Sequence, residues 1–243
     1  MSATPAAKDV PLRIVFMGTP EFALPALSAL AEGEDEVVGV VTQPDRPRGR
    51  GLGPKAPPVK DFCLSHNLPV LQPQRLKDPD TLEQLSRWRP DLIVVAAYGK
   101  ILPKAILDLP RHGCINVHAS LLPKYRGAAP IQWALLSGEP LTGVTVMQMN
   151  ERMDAGDILL TKSVEVAANE TARTLHDKLS RLGAEALGEA IALLKRAELR
   201  PVPAGGDAPG LAGRLSQPVQ RGGTLLHAAD GGDEGLQVRL QRV

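Results

Sequence analysis

Asp91-Leu-Ile-Val-Val-Ala-Ala97 decides how this chain is built. The run is apolar throughout its middle and is bounded by Pro90 and Gly99. A strand with one face in water alternates polar and apolar residues. A continuous apolar run fits a strand buried on both faces, as in a parallel sheet covered by helices on each side. The same reading extends towards the N-terminus. Leu12 to Met17 is a second apolar run with β-branched residues, closed by Gly18-Thr19-Pro20. Glu21 to Ala31 then reads as a helix, with Phe22, Leu24, Leu27 and Leu30 as its apolar stripe and Pro20 or Pro25 near its first turn. Val37 to Thr42 is a buried strand, Pro58 to His66 a helix, Val70-Leu71 a short strand and Thr81 to Arg87 a helix. Towards the C-terminus follow a short helix at Pro103 to Asp108, a strand at Cys114 to His118 and a helix at Ala129 to Leu136. Thr142 to Met149 and Ile158 to Val166 read as strands that pair across the intervening turn. Thr171 to Arg196 is a long amphipathic helix, capped by Asn169 or Thr171. This alternation predicts an α/β fold: an open, mostly parallel twisted sheet with helices on both faces.

Composition excludes several function classes. The 243 residues carry a formal charge of +1, so there is no global attraction to nucleic acid or to a membrane. No apolar run approaches the roughly 18 residues of a membrane span, and Met1 to Pro11 has neither the basic start nor the apolar core of a signal peptide. Cys63 and Cys114 form no C-x-x-C pair, which suits a reducing compartment; a cytoplasmic monomer is the expectation.

In open α/β sheets ligands sit outside the carboxyl ends of the strands. Gly18, Tyr98-Gly99 and His118 all fall there on this reading. Asn116 and His118 are two apart on one strand, so their side chains share a face. That places an amide donor beside a titratable imidazole. Asp154, in the acidic turn Met153-Asp-Ala-Gly-Asp157, supplies a carboxylate if the fold returns it to His118. The set suits acyl-type transfer: donors hold a developing oxyanion while the carboxylate orients the imidazole and accepts protons. Taken singly, each residue also fits an ordinary role, a satisfied core histidine or simple turn chemistry. Ser120-Leu-Leu-Pro123 is a turn whose backbone groups frame a ligand. His112, Cys114, Asn116 and His118 alternate onto one strand face, but neither C-x-x-C nor H-E-x-x-H spacing occurs, so no metal is expected.

Residues 43–60 carry Arg46, Arg48, Arg50, Lys55 and Lys60 against Asp45, a net of +4, while the remaining chain is −3. Such local cationic density is what a phosphate backbone requires, although charge runs are commonly just solvated loops. The chain has neither G-x-x-x-x-G-K-[ST] nor G-x-G-x-x-G after its first strand, so neither a P-loop nor a dinucleotide fingerprint is indicated.

Four segments carry a family resemblance. They are Arg13-Ile-Val-Phe-Met-Gly-Thr-Pro-Glu-Phe-Ala23, Thr42-Gln-Pro-Asp-Arg-Pro47, Ala96-Ala-Tyr-Gly-Lys-Ile-Leu-Pro103 and Asn116-Val-His-Ala-Ser-Leu-Leu-Pro-Lys-Tyr-Arg-Gly-Ala-Ala-Pro-Ile-Gln-Trp133. With Thr142-Gly-Val-Thr-Val-Met-Gln-Met149 and Met153-Asp-Ala-Gly-Asp157, they closely resemble the methionyl-tRNA formyltransferases, over roughly residues 12–196. The resemblance implies a Rossmann-like formyltransferase fold. It also implies formyl transfer from 10-formyltetrahydrofolate to the amino group of methionine on initiator tRNA, in translation initiation. By position, Asn116, His118 and Asp154 match the catalytic residues. Ser120, Leu121, Leu122 and Pro123 match the folate-binding turn, and Tyr98, Gly99, Lys100, Ile101 and Leu102 match a segment lining the pterin pocket. Arg46, Arg48, Arg50 and Lys55 match the loop that meets the acceptor arm of the tRNA.

Composition changes at Pro201. Residues 201–243 hold nine of the 23 glycines, no aromatic residue, no lysine and no isoleucine. The expected organisation is a catalytic domain at 1–200 and a glycine-rich tail at 201–243. The tail is truncated or divergent relative to the C-terminal β-barrel domain the resemblance implies. Two other readings stand beside formylation of Met-tRNA: a formyltransferase acting on a small amine such as an amino sugar, and a folate- or RNA-binding chain without turnover. The retained basic loop argues against the first.

Overall fold

The computed structural model describes residues 10–47 and 54–204. Arg48, Arg50 and the tail beyond Ala204 lie outside the described residues.

Seven strands form one sheet in the order β5-β2-β1-β6-β7-β8-β9. β1 (Arg13–Gly18) is central, flanked in parallel by β2 (Glu36–Val41) and β6 (Leu92–Ala96). β5 (Val70–Leu71) extends the sheet beyond β2, and β7 (Cys114–His118) lies parallel to β6. β8 (Leu141–Gln148) and β9 (Ile158–Glu165) add an antiparallel hairpin. A separate two-stranded ribbon, β3 (Arg46–Pro47) and β4 (Pro54–Lys55), carries the basic segment.

The apolar runs are explained by two cores, one on each side of the sheet. Ile14, Phe16, Leu92, Val94, Ile115 and Val117 point to one face. There α1 (Leu24–Ala31), α2 (Pro58–Ser65), α5 (Pro130–Leu136) and α6 (Ala172–Lys195) cover them. Their sequence neighbours Val15, Met17, Ile93, Val95 and Cys114 point to the other face, under α3 (Pro79–Trp88) and α4 (Lys104–Leu107). Period-2 geometry thus buries every position of a central strand. Glu21 to Ala31 divides into a 3-10 turn at Glu21–Ala23 and α1, with Pro25 in the first turn of α1, where a missing N–H costs nothing. Thr171 caps α6, its hydroxyl accepting from the N–H of Thr174 at 3.2 Å.

The composition break at Pro201 does not coincide with the end of the packed chain. Val202 and Ile158 exchange both backbone hydrogen bonds, at 2.9 and 2.7 Å, and Ala204 is buried with Leu122, Met147 and Ile158. Among the described residues, no helix is long and apolar enough to cross a membrane.

Candidate active site

Strand order reverses at β1, whose neighbours β2 and β6 lead in opposite directions. This is the switch point where open α/β sheets place ligands. A cleft of about 630 Å³ opens there, beyond the carboxyl ends of β1, β6 and β7. Asn116, His118 and Asp154 all line it. The pairing of β8 with β7 and β9 brings the 153–157 turn back to β7, so residues 36 apart in sequence meet.

His118 is buried and its two ring nitrogens are differently placed. Nε2 donates to the Tyr125 carbonyl at 2.9 Å. A carbonyl only accepts, so Nε2 carries the proton, and Nδ1 is the nitrogen left facing Asp154. Nδ1 lies 3.6 Å from Asp154 Oδ2. That is an ion-pair separation, too long for a direct hydrogen bond. Side-chain exposures of 7% for His118 and 16% for Asp154 mean that water screens the pair only weakly. The same Asp154 Oδ2 accepts the Gly127 N–H at 2.8 Å. Asp154 sits in the left-handed region at φ 47°, which Asp tolerates better than most residues. Asn116 is half-buried on the same face of β7 as His118, so its amide and Nδ1 address one volume.

Tyr98, Gly99, Lys100, Ile101 and Leu102 also line the cleft. They contribute mainly walls and backbone. Burial pushes the Tyr98 phenol up to about 12, so it remains neutral. The Lys100 ammonium is occupied by the carbonyls of Pro73 and Gln74, at 3.2 and 2.9 Å. Ser120, Leu121, Leu122 and Pro123 are placed differently: none lines the cleft. Ser120 Oγ donates to the Lys124 carbonyl at 2.6 Å. Thr145 Oγ1 donates to the Ser120 carbonyl at 2.7 Å and accepts from Leu122 N–H at 3.0 Å. The turn is thus tied inward and shapes the wall behind His118. Thr145→Val, which keeps the shape but strands both buried backbone groups, is expected to lower unfolding free energy by about 1–2 kcal/mol. An unchanged urea midpoint would contradict this account.

A second recess of about 830 Å³ adjoins the cleft and shares Pro20, Ala97, Tyr98, Gly99 and His176 with it. Arg46, Lys55 and Arg173 line it. Arg46 and Lys55 are direct cross-strand partners in the ribbon, and like charges so placed repel. Arg173 is partly neutralised by Glu21 at 3.0 Å. Lys60 pairs with Asp45 at 2.7 Å and so anchors the base of the loop; with Gln72 it holds the Asp45 carboxyl below its ordinary value. Gln43 Nε2 donates to the Tyr98 carbonyl at 3.0 Å, while its buried Oε1 has no partner among the described residues.

Sequence reasoning missed Tyr125 and Gly127, whose backbone groups hold His118 and Asp154, and also Arg152, Met153 and His176 in the cleft wall. Gly127 falls inside the Lys-Tyr-Arg-Gly segment, so its position was visible though its role was not. His176 is one polar residue on a long helix and gave no signal.

The family profile described as "Formyl transferase" matches residues 12–191, and the chain belongs to that family. The curated relatives it matches include proteins named methionyl-tRNA formyltransferase. That of Alkaliphilus oremlandii is 53% identical over 192 residues, covering 79% of this chain and 62% of the relative. That of Desulfotalea psychrophila is 58% identical over 194 residues, covering 80% and 60%. The chain therefore spans about three fifths of the length of these relatives. Among solved structures, phosphoribosylglycinamide formyltransferase from Anaplasma phagocytophilum aligns with a TM-score of 0.65 at 22% identity, over 82% of this chain and 97% of that one. A formyltetrahydrofolate deformylase from Pseudomonas syringae pv. tomato aligns with a TM-score of 0.62 at 23% identity, over 77% and 62%. At these identities the likeness shows the shared fold.

Proposed function

We propose that the chain transfers a formyl group from 10-formyltetrahydrofolate to the amino group of methionine on initiator Met-tRNA. The observation that carries the reading is the junction of the two recesses. A cleft bearing Asn116, His118 and Asp154 opens directly into a space lined by Arg46, Lys55 and Arg173. The first suits an acyl-type carbon and the second suits a polyanionic acceptor. A small amine would have no use for the second, and the relatives named above point the same way.

On this reading the neutral methionine amine attacks the formyl carbon, forming a C–N bond and a tetrahedral oxyanion. Asn116 Nδ2–H and the Nδ1–H of a protonated His118 stabilise that oxygen. Asp154 balances the imidazolium charge. Collapse breaks the bond to N10 of the folate. One proton leaves the amine and one reaches N10, so the overall reaction is charge-neutral. No metal has a part in it. The folate occupies the cleft beside Tyr98–Leu102, with Ser120–Pro123 supporting the wall behind. On this reading residues 1–200 constitute the catalytic domain, with residues 201–204 packed onto it, and the chain acts as a cytoplasmic monomer.

The deciding assay incubates purified protein with 10-formyltetrahydrofolate and either Met-tRNA or amino sugars. Formyl-Met-tRNA is the expected product. Formylated sugar alone, or folate binding with no product, would refute the reading. Reversing Arg46, Arg48, Arg50 and Lys55 to Glu should weaken tRNA binding and flatten its dependence on salt, by roughly 0.9 in log–log slope for each phosphate no longer neutralised. An unchanged slope would remove the loop from the interface.

A further inference from the structure

Three consecutive residues connect the catalytic pair to the segment by which the described chain leaves the sheet. The peptide unit preceding the Arg126 Cα supplies the Tyr125 carbonyl, which accepts from His118 Nε2 at 2.9 Å. The peptide unit following it supplies the Gly127 N–H, which donates to Asp154 Oδ2 at 2.8 Å. The two backbone torsions of Arg126 therefore set the angle between the group that orients the imidazole and the group that orients the carboxylate. Its neighbours both occupy the left-handed region, Tyr125 at φ 57° and Gly127 at φ 85°. Such a turn keeps its shape only when its surroundings hold it.

The tie that holds it comes from the side chain. Arg126 Nη2 donates to the carbonyl of Ala204, 78 residues away. That carbonyl is itself fixed, because Val202 is clamped to Ile158 by two backbone hydrogen bonds and the Ala204 methyl is buried with Leu122, Met147 and Ile158. Ile158 begins β9, immediately after the turn that carries Asp154. Residues 201–204 thus form a strap against the start of β9, and Arg126 ties the strap to the turn whose peptide groups contact His118 and Asp154. Arg126 is exposed and does not line the cleft.

We propose that Arg126 is a positioning residue: by gripping the Ala204 carbonyl it fixes the Tyr125 and Gly127 peptide groups, and through them the tautomer of His118 and the orientation of Asp154. The proposal rests on the reading of His118 and Asp154 as the reacting pair. Arginine is suited to the role because its donors reach a carbonyl from an otherwise exposed stem.

The test uses the full chain and the variants Arg126→Met, Arg126→Lys and Val202→Pro, the last removing the N–H that clamps the strap. In Arg126→Met, kcat for formyl transfer is expected to fall about tenfold, with KM for the folate within about twofold, since misplacing catalytic groups by a fraction of an ångström affects the transition state more than the bound ground state. Arg126→Lys should restore most of the rate. Val202→Pro should lower kcat comparably. The double variant Arg126→Met/Val202→Pro should be no slower than the worse single one, because both break the same tie. Wild-type kcat in Arg126→Met, or additive losses in the double variant, would overturn the proposal. A readout independent of turnover keeps the two readings separable: 15N NMR of the imidazoles, with the His118 signal assigned by its loss in His118→Gln. At a pH that keeps the imidazoles neutral, wild type should show a fixed Nε2–H tautomer, and Arg126→Met a mixture. An unchanged tautomer in Arg126→Met overturns the proposal even if the wild-type protein formylates nothing.

Discussion

His118→Ala is expected to lower kcat for formyl transfer by about 10²–10³-fold while leaving folate binding nearly unchanged. A single preorganised donor to an oxyanion is worth roughly this much in a water-poor site. The effect falls on kcat because the oxyanion exists only in and near the transition state. The ground-state formyl group gains little from the donor, so removing it costs little binding. His118 sits where such a donor is effective, buried at the end of β7 with Nε2 already committed to the Tyr125 carbonyl and only Nδ1 facing Asp154. Asp154→Ala should cost a similar amount, since on the proposed mechanism its carboxylate, 3.6 Å from His118 Nδ1, balances the charge beside the oxyanion. On the proposed mechanism the two losses should not add, since both variants remove the same charge pair. Folding should survive His118→Ala, which deletes one hydrogen bond to a loop carbonyl worth about 1 kcal/mol. Loss of turnover with a retained melting transition and retained folate affinity is therefore the expected pattern. Near-normal turnover in purified His118→Ala or Asp154→Ala would remove the pair from the mechanism.

The fold was legible where burial alone decides structure. Asp91 to Ala97 and Leu12 to Met17 are largely apolar runs that no exposed strand would tolerate, and each forms a central strand of the sheet. The shared face of Asn116 and His118 followed from period-2 geometry. Asp154 was a different case. Its approach to His118 depends on the β7–β8–β9 antiparallel register, which local periodicity does not encode. The family motifs pointed to it; composition and spacing did not. Ser120–Pro123 shows the opposite limit. A turn rich in backbone groups next to a candidate site reads as a ligand frame, yet its carbonyl and N–H are bound to the Thr145 hydroxyl, a partner 23 to 25 residues away. Lys100 and Lys60 are similar: a charge count records cations, and only the fold shows that one caps two carbonyls and the other neutralises Asp45. The composition break at Pro201 registers a change in sequence character. It missed that Val202 and Ala204 still pack on the sheet, because four residues are too few to change a composition.

Gly156→Ala is expected to damage stability and activity together, by a route distinct from His118→Ala. A Cβ at position 156 would lie 1.8 Å from the Gln148 carbonyl oxygen and 2.9 Å from its carbon. Both are backbone atoms, so no side-chain rotation relieves the clash. Gln148 cannot retreat, because its N–H donates to the Asp157 carbonyl at 2.8 Å and its strand is paired on both sides. The turn must therefore move outward, opposite the register shift already present between Val146 and Met147. Overpacking of this kind costs about 3 kcal/mol when backbone has to yield. Asp154 lies two residues before the clash, and its Oδ2 must stay near both the Gly127 N–H and His118 Nδ1. Displacing it by about an ångström should cost on the order of 10²-fold in kcat, while Asn116 and the Tyr98–Leu102 wall stay in place on other strands. The variant should melt well below wild type yet still bind folate at temperatures where it is folded. Gly156→Ala with wild-type stability and turnover would mean that the 153–157 turn does not closely approach β8, and the route by which Asp154 reaches His118 would have to be redrawn.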